Sequence, residues 1–373
     1  MTSSRLRSMK YRQKALSIFL VSCLMAMIPA SSADYTMPDE HLPHEGTWLQ
    51  WPHHHTYGKA YRNGLDPTWV AMTKALVPGE KVHLIVYDKI EEKRVAAILE
   101  KARVPLRRVD FLIRRTDDVW VRDNGPIFVK DSNGRTYVSD WGFNGWGYDT
   151  RFKSDNLVPL AVAKRLRMQR IDAGDTVLEG GAFVMDGEGT LMATLSSILE
   201  PRRNPGLSIS ELEARLASRL GAKRFIWLQG APGGKEDITD THIDGFATFA
   251  PGRRLVTLSD EDLAYWGLPA ADIDTLNRAT DRDGHPYTKV VLPLTARNVV
   301  APNGVRVGFK GSYVNYYVAN KVVLMPAYSD PNDEVAKRLL QSVYRTRVVT
   351  SIDVRNLYVG GGMVHCVTQQ QPR

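Results

Sequence analysis

The stretch Asp123-Asn124-Gly125-Pro126-Ile127-Phe128-Val129-Lys130-Asp131-Ser132-Asn133-Gly134 returns in altered form as Glu179-Gly180-Gly181-Ala182-Phe183-Val184-Met185-Asp186-Gly187-Glu188-Gly189. Phe128-Val129-x-Asp131-x-x-Gly134 matches Phe183-Val184-x-Asp186-x-x-Gly189. Each is an apolar strand running into a turn, and Asn133-Gly134 is a strong hairpin signal. In each, an acid and a glycine-containing turn come first. A third copy is looser: His242-Ile243-Asp244 precedes the apolar run Phe246 to Phe249, a turn at Pro251-Gly252-Arg253 and a strand Leu255 to Leu258. A fourth runs from Tyr313 to Val318, turns at Ala319-Asn320 and continues from Lys321 to Met325. The spacing is roughly 55 to 75 residues, which reads as one supersecondary unit repeated.

Regular elements surround these hairpins. Val82 to Tyr87 and Val109 to Ile113 read as strands, with a helix over Glu91 to Ala102 between them. Asn156 to Met168 reads as another helix. Ile209, Leu212, Leu216 and Leu220 form one apolar stripe, and Val335, Leu339, Leu340 and Val343 another. Such stripes are core. The class is therefore α/β, a hairpin-plus-helix unit repeated in a single domain from residue 34 to 373. If the units stand about an axis, their acidic edges converge. Asp123, Glu179, His242, Asp244 and Cys366 then share one central pocket.

Cys366 lies in Gly360-Gly361-Gly362-Met363-Val364-His365-Cys366-Val367. It is the only cysteine outside the N-terminal leader and has no internal disulfide partner. The glycines permit close backbone approach or φ > 0, and Met363-Val364 reads as a strand ending at a pocket. The thiol is a candidate nucleophile, weighed against the usual fate of a free cysteine, burial in a core. His365, next to it on a strand, would point to the opposite face and is given no role.

The leader, residues 1 to 33, has five basic residues, no acid, and an apolar run from Ala15 to Ala30 that ends in Ser31-Ser32-Ala33. It reads as a signal peptide cleaved before Asp34, which implies export. The apolar run continues past Cys23, against lipidation, and is short for a membrane span. No second long apolar run follows, so no stable membrane association is expected once the leader is gone. The formal charge of +8 loses those five basic residues and falls to +3. That excludes a nucleic-acid partner. His41, His44 and His53-His54-His55 match no zinc spacing, and Pro43 and Pro52 break any helix that would align them. The segment from Asp34 to Asp66 is read as irregular, at a pocket rim, with no metal and no cofactor.

Carboxylates around one thiol would repel an anion and hold a planar cation. Guanidinium presents forked N–H donors that match carboxylates bidentately. Thiolate could attack its carbon, and a histidine could protonate the departing nitrogen as ammonia and then activate water. A free thiol ionises near about 8.5, so a neighbouring cation must assist. Plain alternatives stand beside each acid: Asp123 may be read as a surface pair with Arg122, and Glu179 as a turn cap.

The motifs also resemble those of the agmatine deiminase and bacterial-type peptidylarginine deiminase family, of the pentein fold. The resemblance is carried by Met37-Pro38-x-Glu40, Asp118 to Pro126, Trp141 to Gly147, Leu178 to Gly181, Asp186 to Thr190, Arg203-Asn204-Pro205, His242 to Asp244, Ser312 to Tyr317 and His365 to Pro372. It implies a propeller of five ββαβ units around a pseudo-fivefold axis. It also implies Cys366 as nucleophile, His242 as acid/base, Asp123 and Asp244 as guanidinium clamps, and Glu179 as a further pocket carboxylate. Trp120 would wall the pocket, or only pack. The expected activity is hydrolysis of agmatine to N-carbamoylputrescine and ammonia through a thiouronium on Cys366. The alternatives are a peptidylarginine deiminase, an amidinotransferase, and a guanidinium-binding protein without turnover. The expected partner is a small guanidinium or a peptidyl arginine. Trp146-Gly147-Tyr148-Asp149 and Thr241, where glycine is common in the family, depart from the agmatine pattern.

Overall fold

The computed structural model describes residues 35–231 and 237–373. The predicted leader and its cleavage after Ala33 lie outside the described residues. Among those residues no helix is long and apolar enough to cross a membrane.

The first strands and helices are β1 (His44–Gln50), α1 (His54–Leu76), β2 (Lys81–Val86), α2 (Lys89–Lys101) and β3 (Val109–Ile113). Next come a one-turn helix α3 (Val121–Asn124), the hairpin β4 (Ile127–Lys130) and β5 (Thr136–Gly142), the turn α4 (Gly145–Tyr148), α5 (Val158–Leu166) and β6 (Arg170–Val177). The second hairpin is β7 (Phe183–Met185) and β8 (Thr190–Thr194), followed by α6 (Leu195–Ile198), α7 (Ile209–Leu220) and β9 (Arg224–Leu228). The third is β10 (Ala247–Ala250) and β11 (Arg254–Thr257), followed by α8 (Asp260–Tyr265), α9 (Ala270–Asn277) and β12 (Thr288–Val291). An added hairpin, β13 (Leu294–Val300) and β14 (Arg306–Ser312), precedes β15 (Tyr317–Val318), β16 (Val322–Ala327), α10 (Asn332–Val343) and β17 (Val348–Asp353). The short helix α11 (Arg355–Tyr358) and β18 (Gln369–Pro372) end the chain.

One pairing rule recurs. In each unit the hairpin strands pair antiparallel, and the strand after the helix joins the second of them in parallel: β4-β5-β6, β7-β8-β9, β10-β11-β12 and β15-β16-β17. A fifth set follows the same rule across the chain ends. β18 pairs antiparallel with β1, and β1 runs parallel to β2. A parallel neighbour needs a crossover, which the helices supply.

Local chemistry explains these elements. Asp88 caps α2 by accepting from the N–H groups of Ile90 and Glu91. Ser208 and Glu211 form a reciprocal capping box on α7. Leu212, Leu216 and Leu220 are fully buried, each contributing about 2 kcal/mol. Ile209, predicted in the same stripe, is 42% exposed because it sits in the first turn, before the helix meets the sheet.

The segment from Asp34 to Asp66 corrects the reading of it as irregular, because it holds β1 and most of α1. β1 is buried on both faces, polar Thr47 and Gln50 included, so no alternation shows in its sequence. α1 breaks at Gly58, where φ is 67°. The three histidines at its start pack against one another, and His53 also bonds the carbonyl of Thr116, His54 the carboxylate of Glu91, while His55 stacks on Tyr87.

Because β18 supplies the outer strand of the sheet that joins both chain ends, truncation after Thr368 is expected to abolish the cooperative thermal transition followed by circular dichroism. A truncated chain that melts like the full one would show that this sheet does not close the fold.

Candidate active site

Every unit delivers a polar side chain from the same place, just ahead of its first hairpin strand. Asp123 comes from α3 before β4, and Glu179 from the loop before β7. Asp244, in a short 3₁₀ turn (Ile243–Gly245), precedes β10. Asn315 precedes β15. Cys366, in the turn His365–Val367, precedes β18. Cys366 is thus on a turn ahead of the strand, whereas the sequence had placed a strand end before it.

The groups are in contact. Cys366 Sγ lies 3.9 Å from Asp244 Oδ2 and receives the Asn315 Nδ2–H at 3.3 Å. Asn315 Oδ1 accepts the His365 backbone N–H at 2.9 Å, so one amide fixes both the turn and its sulfur. His242 Nδ1 is 3.7 Å from Asp123 Oδ1, and its Nε2 is 3.0 Å from Glu179 Oε2. Asp123 Oδ1 accepts from the Gly181 N–H at 3.0 Å, and Oδ2 from the Trp146 indole at 3.1 Å. A Cβ at position 181 would stand 2.7 Å from both Asp123 Oδ1 and His242 Nδ1. Only glycine lets these groups close on one another.

Glu179 does not face an open pocket. Its carboxylate is fully buried, with Arg203 Nε at 2.8 and 3.0 Å and His242 on its other side. Arg203 already pairs with that charge, and the same carboxylate fixes the His242 ring through Nε2. The backbone before His242 is held under strain. Asp240 and Thr241 have φ of 56° and 71°, left-handed values that cost a non-glycine residue roughly 1–3 kcal/mol. Arg203 Nη1 to Asp240 Oδ2 at 2.6 Å, Ser196 Oγ to the Asp240 carbonyl at 2.7 Å and Thr194 Oγ1 to the Thr241 carbonyl at 2.8 Å hold the turn.

Trp120 packs beside the loop that carries Cys366. A Cβ on Gly362 would lie 2.1 Å from its Cζ3, so the indole rests against the glycine run that leads to Cys366. His365 corrects the sequence reading. It occupies the 3₁₀ turn, where strand alternation does not apply, and its Nδ1 lies 2.7 Å from Asp244 Oδ2. Asn315, His365, Arg203 and Glu40 were not read as site residues. The position before the hairpin strand, occupied by the acids in the other copies, could have flagged Asn315.

Burial governs the ionisation. It raises Asp123, with help from Asp244 and Glu179 and against the pull of His242, to about 6. Burial works against a charged His242, but Asp123 and Glu179 outweigh it and lift that imidazole to about 9. Burial, then Asp244 and Asp123, push the Cys366 thiol well above its ordinary range. These shifts favour the charged form of His242 and the protonated form of the Cys366 thiol at neutral pH. A bound cation would offset the carboxylates and release the thiolate.

A family model described as Porphyromonas-type peptidyl-arginine deiminase matches residues 36–372. The chain is 34% identical over 361 residues to an agmatine deiminase of Stutzerimonas stutzeri, covering 91% of this chain and 95% of the relative. It is 32% identical over 363 residues to an agmatine deiminase of Pseudomonas aeruginosa, at the same coverage. The solved agmatine deiminase of Enterococcus faecalis superposes with a TM-score of 0.79 at 27% identity, covering 91% of this chain and 96% of that one.

In a Cys23→Ser background, alkylation of Cys366 by iodoacetamide is expected to keep accelerating above about pH 8.5, the ordinary thiol range. A midpoint at or below that value would contradict the raised thiol.

Proposed function

The chain belongs to the Porphyromonas-type peptidyl-arginine deiminase family and is a hydrolase of C–N bonds in amidines or guanidines. From that premise we propose that it hydrolyses agmatine to N-carbamoylputrescine and ammonia. The observation that carries the reading is the convergence of Asp123, His242, Asp244 and Cys366, each from the same edge of its unit. We read the five sheets that share this pairing rule as standing about a pseudo-fivefold axis, in a single catalytic domain from residue 34 to 373. The join of both chain ends in one sheet supports this.

The mechanism follows from the charges. Asp123 and Asp244 hold the guanidinium with its carbon above Cys366. The bound cation offsets both carboxylates, so the thiol releases its proton to solvent once substrate is in place. Thiolate attacks the carbon and forms a tetrahedral adduct. His242, charged in the free site, gives its proton to the departing nitrogen, and ammonia leaves a thiouronium on Cys366. The neutral imidazole then takes a proton from water as the water attacks that carbon. Collapse breaks the C–S bond and yields the ureido product and the free thiol. Glu179, backed by Arg203, keeps the His242 ring aimed.

Agmatine is preferred over peptidyl arginine because the named relatives that align end to end are agmatine deiminases. A peptidyl-arginine substrate is favoured by the description of the family. The predicted leader supports export of the protein.

Ammonia release from agmatine, free arginine and an arginyl peptide, run in parallel, tests the substrate. Agmatine is expected to be turned over, and turnover of the peptide alone would overturn the reading. Cys366→Ser is expected to abolish release, and His242→Ala to lower kcat by about 10²- to 10⁴-fold. Unchanged rates would refute the roles given to them.

The pH profile of kcat/KM is expected to be bell-shaped. Asp123 must be ionised to bind the cation, so activity falls below about 6. His242 must be protonated to serve as the acid, so activity falls again above about 9. A flat profile across that window would contradict both assignments.

A further inference from the structure

The turn that carries Cys366 also carries His365, whose ring bridges two carboxylates. Nδ1 lies 2.7 Å from Asp244 Oδ2, and Nε2 lies 3.0 Å from Glu40 Oε2. The far carboxylate is itself fixed. Glu40 Oε2 also accepts from Arg122 Nη2 at 3.2 Å, and Oε1 accepts the Val318 N–H at 2.9 Å. Arg122 is held by Gln370 Oε1 at 2.9 Å.

An ionised carboxylate only accepts hydrogen bonds. With such an acceptor at each nitrogen, the imidazole must carry a proton on both. Burial and Arg122 oppose that charge, but Glu40 and Asp244 outweigh them. Burial also opposes an ionised Glu40, yet His365 and Arg122 draw it down to about 2. The cavity behind the ring, lined by Glu40, Arg122, Tyr316 and Gln370, also holds the Asp39–His41 pair.

We propose that His365, clamped by Glu40, is a positioning residue that keeps Asp244 oriented for the substrate cation. The proposal rests on the reading of Asp244 as a guanidinium clamp. Asp244 Oδ2 is tied down from behind at 2.7 Å, which fixes the carboxylate plane beside the sulfur. Among the described residues Asp244 has no arginine or lysine partner, whereas Glu179 has Arg203. Without the ring, Asp244 Oδ2 loses its 2.7 Å partner and the carboxylate is free to turn away from the sulfur. Its hold on the guanidinium would then be lost.

The test uses His365→Gln, Glu40→Gln and the double variant, with kcat/KM for agmatine measured across pH. Each single change is expected to lower kcat/KM roughly ten- to a hundredfold, the scale of one charge-assisted hydrogen bond, chiefly through KM. The double variant should be no worse than His365→Gln alone, since Glu40 acts through His365. An unmoved KM, with losses that follow the melting temperature, would overturn the proposal, as would additive losses. Nitrogen-15 NMR of histidine-labelled wild type needs no substrate. Two protonated ring nitrogens are expected on His365 at neutral pH, and a singly protonated ring would overturn the proposal. Wild type that turns over no guanidine would refute the function proposed above. The clamp would then be decided by the imidazole spectrum alone.

Discussion

The centre of this molecule brings four carboxylates together in a site nearly closed to water, and each is held by a cation placed beside it. Glu179 has Arg203, Asp123 has His242, Asp244 has His365 and Glu40 has Arg122. Uncompensated, buried carboxylates would take up protons or open the fold. Much of the surrounding structure serves this balance. The strained turn at Asp240 and Thr241, the glycine at 181 and the join of the two chain ends each bring one of these charges to its partner.

The balance also sets the chemistry. Two of the cations, Arg203 and Arg122, cannot lose a proton in the working range, while the two histidines can. In the mechanism proposed above, the proton-transfer work falls to His242, whose neighbours lift it to about 9. The thiol pays no part of this charge balance while the site is empty, because burial and two carboxylates keep it protonated. On the reading proposed above, a guanidinium entering between Asp123 and Asp244 would change that, and would couple substrate charge to ionisation of the thiol.

Hairpin strands, their turns and the helices between them were legible because local chemistry specifies them. The repeat of Phe128-Val129 at Phe183-Val184 exposed the unit, and the acid before each copy exposed the edge that matters. Four hairpins could be read in this way. The fifth could not, since β1 and β18 lie at opposite ends of the chain and meet only on folding. His365 was misplaced for a related reason. Strand alternation was applied to a residue that lies on a 3₁₀ turn.

By itself, the sequence determined the α/β class, the repeated unit and the chemical types at its edge: one thiol, one histidine and several acids. Those follow from periodicity, turn chemistry and side-chain identity, all of which are local. Only the tertiary structure decided which acid is already neutralised and which is open to a ligand. Glu179 and Asp244 occupy equivalent places in their units, yet Arg203 reaches the first and His365 the second. Charge pairing acts over a few ångströms in space, between residues far apart along the chain, so the partners become known only once the units are assembled.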